Sequence, residues 1–157
     1  WQLSANQAVL DHDEIVYIDI VEPNQPLRVK FSIGSRAEVH CTALGKVLVS
    51  EMDPSSVLAI LAAKGMKRYT PKTITDPDRY LESLAAVRAL GYALDQEEII
   101  HGVRCVAAPI RGANGQIISA LSLSGPTSFF VEKMTPPVVE SLIEATSQIS
   151  GKLLTGS

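Results

Sequence analysis

Residues 95–126 read DQEEIIHGVRCVAAPIRGANGQIISALSLSGP. Two apolar segments in this stretch flank Asn114-Gly115, a dipeptide that favours a two-residue type I′ hairpin turn. The stretch therefore predicts two antiparallel strands, Val103–Arg111 and Gln116–Ser124. Acidic residues, a histidine, a cysteine and two alternating serines lie around this hairpin. We therefore look for a functional site here as well.

The first third of the chain also has the pattern of strands. The segments QAVL (7–10), EIVYIDIV (14–21) and LRVKFSI (27–33) are rich in β-branched residues. DHDE and EPNQP separate them, and their Asp, Asn and Pro residues suit turns. We predict a meander of hairpins here, and a further strand at residues 92–96.

Helix start and stop signals lie between and after these strands. Strands, then helices, then strands, then a helix indicate an α+β domain, in which helices pack on an antiparallel sheet, rather than a βαβ repeat. We assign residues 1–157 to one such domain. The predicted helices begin at Cys41 or Thr42, run from Pro54 with Asp53 as N-cap to Gly65, run from Pro77 with Thr75 or Asp76 as cap to Gly91, and run from Pro136 or Pro137 to Leu154.

The composition indicates a soluble globular domain. The chain has 157 residues, and a domain of this size buries roughly two thirds of its unfolded surface. Its hydrophobic content of 46% and charged content of 20% are those of an ordinary globule. The apolar run at residues 57–63 is far shorter than the roughly 18 residues that a membrane span needs. We therefore expect no membrane partner.

The charge and the cysteine content limit which binding partners and which cellular compartment we expect. The formal net charge is -3, so the chain lacks the excess of basic residues that binds phosphate backbones. We therefore expect no nucleic-acid binding by this chain alone. The two cysteines lie far apart and no secretory segment begins the chain, which predicts a reducing cytoplasm. The chain begins at Trp1 without a Met, so we expect it to be part of a longer protein.

Strand alternation groups the polar residues of the hairpin. Alternate residues of a strand share a face. Each strand of the hairpin therefore has one face that carries small and polar side chains. If these two faces line one cavity, that cavity has a thiol and two hydroxyls among small apolar walls, which is typical of a small-molecule pocket. Alternatively, small residues in a sheet allow a helix to pack closely. The two groups are Val103, Cys105 and Ala107 on one strand, and Ile118, Ala120, Ser122 and Ser124 on the other.

The same stretch raises two catalytic alternatives. Cys105 with His101 could form a nucleophile and base, but four strand residues span about 13 Å unless the chain bends between them. Asp95, Glu97 and Glu98 could act as paired carboxylates. Acids at a strand end are more often solvated or capping, so neither reading is preferred.

A metal site is a third alternative. His40 and Cys41, together with His101 and Cys105, offer imidazole and thiolate, which zinc prefers. Neither pair has a recognised ligand spacing, and buried cysteines often behave as small hydrophobic residues. We therefore expect no metal and no other cofactor.

Three blocks of the sequence carry a resemblance to a known family. HCTALGKVLVSEM (40–52), GYALDQEEIIHGVRCVAAPI (91–110) and GQIISALSLSGP (115–126) resemble the effector-binding domain of IclR-type bacterial transcriptional regulators. The resemblance implies a GAF-like (PAS/profilin-like) fold that binds a small, often carboxylate-bearing metabolite. It also implies a homodimer or tetramer, and DNA binding only through an N-terminal winged helix-turn-helix outside this chain.

The resemblance also implies the site residues. The serine hydroxyls and the first turn of the helix at Thr42 would bind a carboxylate, and Asp95 would accept a hydrogen bond from a ligand hydroxyl. Cys105 would be a wall of the pocket, so we expect no catalytic residue and a domain that is not an enzyme. A Cys/His enzyme or metal-binding domain is the rival reading. The implied ligand-binding residues are Val29, Ala43, Leu44, Asp95, Val103, Cys105, Ser122 and Ser124.

Overall fold

The computed structural model describes residues 2–24 and 31–156. Within these residues, six strands form one antiparallel sheet in the order β3-β2-β1-β6-β5-β4, and two of the four helices, α1 and α4, pack directly on it. This confirms the predicted α+β architecture. The elements are β1 Ser4–Asp11, β2 Glu14–Val21, β3 Arg36–Glu38, α1 Ala43–Val49, α2 Pro54–Lys64, α3 Pro77–Leu90, β4 Ala93–Gln96, β5 Val103–Arg111, β6 Ile117–Pro126 and α4 Thr135–Thr155.

The predicted strand at residues 27–33 is wrong over its described part. Residues 31–33 are not in a strand, and residues 27–30 lie outside the described residues. Ser35 donates its N–H to the carbonyl of Ser32, and Gly34 adopts a φ of 87°. Gly34 and Ser35 then exchange backbone hydrogen bonds with Tyr17, and the regular strand β3 begins at Arg36.

The turn between β5 and β6 also differs from the prediction. A type I′ turn at Asn114-Gly115 requires positive φ at both residues, but Asn114 does not have it, whereas Gly115 has a φ of 78°. Gly115 donates its N–H to the carbonyl of Gly112, so Ala113 and Asn114 are the central residues of the turn. The left-handed Gly115 then completes a longer connection.

This longer connection changes which side chains face inward at the start of β6. A register shift lies between Ile110 and Arg111, which pair with Ser119 and Ile117 respectively. Ile117 consequently packs against the core, whereas Ile118 is 43% exposed. The predicted grouping of Ile118 with the serines of β6 is therefore wrong.

The helix boundaries follow the predicted caps. Thr42, Asp53 and Asp76 each accept a backbone N–H with the side chain at the start of α1, α2 and α3. Gly65 and Gly91 end α2 and α3. These signals are local in sequence, which is why they locate the helices to within a residue or two.

The sheet has two faces with different cores. The cavity face packs against α1, which in turn contacts α3, and α3 contacts α2; Tyr17, Val47 and Leu84 are among the buried side chains of this core. The α4 face packs against α4, with Val106 and Leu142 among its buried side chains. Within the described residues, no helix combines the length and apolar character needed to cross a membrane.

Gly45 fixes the approach of α1 to the preceding segment. A Cβ atom built at this position would lie 2.4 Å from Val39 Cα and 2.6 Å from Thr42 Oγ1. Any larger residue would therefore push α1 away from the turn that leads into it. The absence of a side chain at Gly45 sets where α1 begins relative to the sheet.

Candidate small-molecule site

A cavity of about 300 Å³ lies between the start of α1 and the cavity face of the sheet. Six of the eight residues implied by the resemblance line it. These residues are far apart in the sequence, and the fold brings them together because they come from α1 and from three strands that pair side by side. These six are Ala43, Leu44, Asp95, Cys105, Ser122 and Ser124.

The two remaining predicted residues do not join this group. Val103 begins β5, pairs with Pro126 at the end of the sheet, and is not among the residues lining the cavity. Val29 lies outside the described residues. Their part in ligand binding stays a prediction.

The two serines of β6 are buried and only loosely engaged. Ser122 Oγ lies 3.5 Å from the carbonyl oxygen of Asn6, at the limit of a hydrogen bond. Ser124 Oγ lies 3.0 Å from Cys105 Sγ, and it accepts a 3.3 Å hydrogen bond from the Asn6 amide. Because these contacts are long or weak, both hydroxyls can donate to a stronger acceptor in the cavity.

The start of α1 supplies backbone donors to the same cavity. Thr42 Oγ1 accepts the N–H of Gly45, and the Thr42 carbonyl accepts that of Lys46. The first N–H groups of a helix have no acceptor within the helix, so those of Ala43 and Leu44 are oriented for an external one. Both residues line the cavity.

Asp95 lies in the cavity wall and is almost completely buried. Burial raises its pKa to about 7, although a 2.7 Å hydrogen bond from the Glu98 N–H acts in the opposite direction. Near neutral pH the Asp95 side chain is therefore divided between the carboxylic acid and the carboxylate. It can donate as well as accept, whereas the sequence suggested an acceptor alone.

The neighbouring acids hold the loop rather than line the cavity. Glu98 accepts hydrogen bonds from Lys46 Nζ on both carboxylate oxygens, each at 2.7 Å, inside the core. Glu97 has a left-handed φ of 62° and is held by Lys72 Nζ at 2.5 Å and by the Gly102 N–H at 2.9 Å. These bonds lower the pKa of Glu97 to about 2. Of the three acids, Asp95 alone lines the cavity.

Several lining residues were not predicted. Tyr17 and Phe31 stack with their ring centroids 5.1 Å apart and form an aromatic wall. The alternation of β2 could have placed Tyr17 inward. Arg36 also lines the cavity, and its guanidinium is engaged by Asp11 and lies 3.7 Å from Glu14. Phe31 and Arg36 reach the cavity through the turn before β3, for which no periodic signal exists.

The structure does not bring together the proposed nucleophile and base. The His101 side chain is 92% exposed and lies beside Glu97. Cys105 contacts Ser124 instead. Burial raises the pKa of the Cys105 thiol and of the Cys41 thiol above their ordinary value, which is the reverse of what activates a nucleophilic cysteine.

The potential metal ligands are also grouped differently from the prediction. His40 and Cys41 lie with Glu38, and the ligand atoms of these three residues are all within 4.8 Å of one another. Neither His101 nor Cys105 belongs to this group. Cys41 and Cys105 are both free thiols.

An antiparallel sheet covered by helices, with a cavity on one face, defines a GAF-like small-molecule-binding domain. The family model described as Bacterial transcriptional regulator IclR C-terminal matches residues 2–151. The chain belongs to this family.

Curated relatives are HTH-type transcriptional regulators. The chain is 39% identical to KdgR of Escherichia coli over 144 residues, which are 92% of this chain and 55% of the relative. It is 33% identical to BhcR of Paracoccus denitrificans over 147 residues, which are 94% of this chain and 53% of the relative. The chain thus spans about half the length of these curated relatives.

Solved structures of the family have the same fold. The C-terminal domain of E. coli KdgR superimposes with a TM-score of 0.88 at 35% identity, over 98% of this chain and 88% of that one. IclR of Thermotoga maritima gives 0.91 at 31% identity, over 98% and 62%. A double mutant of the inducer-binding domain of the Acinetobacter transcription factor PobR, in complex with 3-hydroxybenzoic acid, gives 0.83 at 34% identity, over 97% and 87%.

Proposed function

We propose that this domain senses a small carboxylate-bearing metabolite and thereby modulates DNA binding by an N-terminal winged helix-turn-helix of the full-length protein. The observation that carries the proposal is the cavity of about 300 Å³ lined by Asp95, Ser122 and Ser124 and by the start of α1. A cavity of this size lies at the lower end of the range for ligand pockets. The PobR neighbour, an inducer-binding domain with an aromatic hydroxy acid, supports it.

The polar groups of the cavity suggest how such an acid would be oriented. Its carboxylate accepts hydrogen bonds from Ser122 and Ser124 and from the free N–H groups of Ala43 and Leu44. A hydroxyl or oxo group at the other end of the ligand contacts Asp95. Because Asp95 titrates near neutral pH, it can pair with either kind of group.

The apolar part of the cavity surface selects the size of the ligand. Tyr17, Phe31 and Ile99 provide apolar walls, and Cys105 provides a polarisable one. The site needs no activated nucleophile, so we assign the domain a binding role and not an enzymatic one. The metabolite is therefore a short aliphatic or small aromatic hydroxy or oxo acid.

A panel of small organic acids, measured by thermal shift and then by calorimetry, tests the proposal. A ligand that binds only the folded state at one hundred times its Kd stabilises that state by about 2.7 kcal/mol. We expect stabilisation by hydroxy or oxo acids and little by the matching carboxamides. Equal stabilisation by acids and carboxamides would contradict a carboxylate site.

We also propose that the full-length protein acts in the cytoplasm as a homodimer or tetramer, since a two-fold operator requires a two-fold protein. The chain has a net charge of -3, so its own affinity for DNA should be weak and without sequence preference. Sedimentation of the 157-residue chain and a mobility-shift assay test these two statements. Only monomer at micromolar concentration, or sequence-selective DNA binding by the chain alone, would contradict them.

A further inference from the structure

Glu38, the last residue of β3, forms a compact cluster outside the cavity with His40 and Cys41 of the segment that leads to α1. Their ligand atoms lie within 4.8 Å of one another. His40 and Cys41 are fully buried, while Glu38 retains 21% exposure of its side chain. Carboxylate, imidazole and thiolate are the three ligand types that Zn²⁺ uses in proteins.

The hydrogen bonds of His40 determine which ring nitrogen is available. His40 Nε2 lies 2.9 Å from the carbonyl oxygen of Lys67. A carbonyl can only accept, so Nε2 carries the proton and Nδ1 of a neutral ring has a free lone pair. Such an arrangement, with one nitrogen bound to a backbone carbonyl, is the usual way in which a metal-ligating histidine is oriented.

The free nitrogen faces a carboxylate oxygen that has no hydrogen-bond donor. His40 Nδ1 lies 3.3 Å from Glu38 Oε2. This oxygen is buried and is without a hydrogen-bond partner among the described residues. Two acceptors that face each other in a buried place repel unless a proton or a cation lies between them.

The separation of these two atoms matches a metal site. In a tetrahedral zinc site with Zn–N and Zn–O distances near 2.0–2.1 Å, neighbouring ligand atoms are about 3.3 Å apart. The observed distance between His40 Nδ1 and Glu38 Oε2 is 3.3 Å. Cys41 Sγ lies within 4.8 Å of the other ligand atoms, so it needs to move by at most about 1 Å to reach the longer edge that a sulfur ligand requires.

We propose that Glu38, His40 and Cys41 bind one divalent transition-metal ion of the Zn²⁺ type, with a fourth position left for water. The donor set is chemically mixed, which favours Zn²⁺ over the oxygen-seeking Mg²⁺ and Ca²⁺. On binding, the Cys41 thiol loses its proton to the solvent, and the ion supplies the positive charge that compensates the buried thiolate. No oxidation or reduction takes place.

Tyr69 forms the outer wall of this site. Its hydroxyl donates to Glu38 Oε1, and its ring stacks on His40 with the centroids 6.3 Å apart. Tyr69 is partly exposed, so an ion can enter on its side by displacing one aromatic ring. The Tyr69 hydroxyl uses the carboxylate oxygen that does not face His40, which leaves Oε2 for the ion.

The proposed metal site lies directly before α1, so an ion bound there would affect the cavity. Cys41 directly precedes Thr42, whose side chain caps α1 and which lines the cavity. An ion held by residues 38, 40 and 41 would restrict the segment that presents the N–H groups of α1. The domain would then bind its ligand with a preorganised helix start.

Titration of the metal-free 157-residue chain with Co²⁺, followed by competition with Zn²⁺, tests the proposal. A bound tetrahedral Co²⁺ shows visible absorption, and a thiolate ligand adds a near-ultraviolet sulfur-to-cobalt band. We expect Cys41→Ser to abolish that band and Glu38→Gln to weaken Co²⁺ binding at least tenfold. Glu38→Gln is nearly isosteric and keeps an acceptor for Tyr69, so it leaves the fold intact, which circular dichroism checks.

Cys105→Ser and His101→Ala are the matched controls. Both should keep the Co²⁺ absorption spectrum and the Co²⁺ affinity of the parent. Loss of the band in Cys105→Ser would place the ion in the cavity and overturn the assignment. An unchanged band in Cys41→Ser, or no Co²⁺ absorption in the parent, would do the same. In the last case, the 3.3 Å contact between His40 and Glu38 exists without a metal.

Discussion

The two faces of the sheet are built from alternate residues of the same strands, yet they differ in what they enclose. On the α4 face, Val106 and Ala108 of β5 pack against Val138 and Leu142 in one buried apolar cluster. On the cavity face, Cys105 of the same strand borders a space of about 300 Å³. One strand therefore serves a packed core and a binding site at once.

This difference assigns different energetic roles to the two faces. A filled apolar layer gains dispersion contacts and hydrophobic free energy throughout. A cavity forfeits part of these contacts, and its buried polar groups need partners of their own. We therefore expect mutations on the α4 face to change stability alone, and mutations on the cavity face to change charge balance, pH response and binding.

The largest effect should come from the buried ion pair beneath the cavity face. Lys46→Met removes the cation that contacts both carboxylate oxygens of Glu98 and leaves that carboxylate buried without a counter-charge. Breaking one half of a buried pair costs about 3–5 kcal/mol. Urea denaturation of the variant and parent gives the free energy of unfolding.

The double variant Lys46→Met/Glu98→Leu is the matched control, since removal of both charges leaves none uncompensated. We expect it to recover most of the stability. A single Lys46→Met variant within about 1 kcal/mol of the parent would show that the pair is solvated and that the cavity face is less dry than its burial indicates.

The second prediction concerns the pH response of the cavity face. The pKa of Asp95 is about 7 in the folded state, against an ordinary value of 3.8. Between these values the folded chain holds a proton that the unfolded chain has lost, so stability falls as the pH rises from about 4 to 7 and levels off above 7. The difference between the two pKa values corresponds to a loss of at most about 4 kcal/mol in the free energy of unfolding.

Asp95→Asn should remove this pH dependence, because its amide mimics the protonated acid and its oxygen can still accept the Glu98 N–H. Thermal unfolding from pH 5 to pH 8 should give a flatter profile than the parent. Glu140→Gln on the exposed side of α4 is the control and should leave the profile unchanged. Parallel profiles for Asp95→Asn and the parent would contradict a raised pKa.

The α4 face should respond through volume alone. Leu142→Ala removes a fully buried side chain and should destabilise the chain by about 3 kcal/mol, within the usual range for a large-to-small substitution in a core. Ligand affinity measured by calorimetry below the unfolding transition should change less than twofold. A larger loss of affinity would show that the two faces are coupled.

The smallest expected effect tests the proposed site directly. Ser122→Ala removes one hydrogen bond to a carboxylate, which is worth about 1.5–3 kcal/mol or a ten- to hundredfold loss of affinity. Stability should barely change, because the Ser122 hydroxyl has only a 3.5 Å contact with the Asn6 carbonyl. Ser124→Ala should act in the same direction.

Ser119→Ala is the control for this pair. Ser119 lies on the same strand but accepts a hydrogen bond from Gln7 and does not line the cavity. Its truncation should leave affinity unchanged. If both Ser122→Ala and Ser124→Ala bound the acid as tightly as the parent, the carboxylate would not be held by these two serines.

Local chemistry made much of this fold predictable. Asp53 and Asp76 precede a proline and act as helix caps through neighbours two residues away. The alternation of β5 and β6 likewise placed Cys105, Ser122 and Ser124 on one face. Each of these signals depends on residues that are close in sequence or directly paired.

The remaining part of the site depends on irregular backbone. Arg36 and Phe31 reach the cavity through a turn, and Glu38 meets His40 through a bend between β3 and α1. Neither segment has a hydrophobic period that fixes side-chain direction. The type I′ turn failed for a related reason, because Asn114-Gly115 fits more than one hairpin connection.

The central place of β1 in the sheet has a consequence for synthesis. β1 pairs with β6, so that Asn6 lies beside Ser122 although the two are separated by most of the chain. Closing so long a loop is slow relative to local pairing. On the ribosome, the β1–β2 hairpin must therefore wait with one edge unpaired until β6 emerges. The cavity, whose wall includes β6, is therefore not complete until β6 has paired with β1.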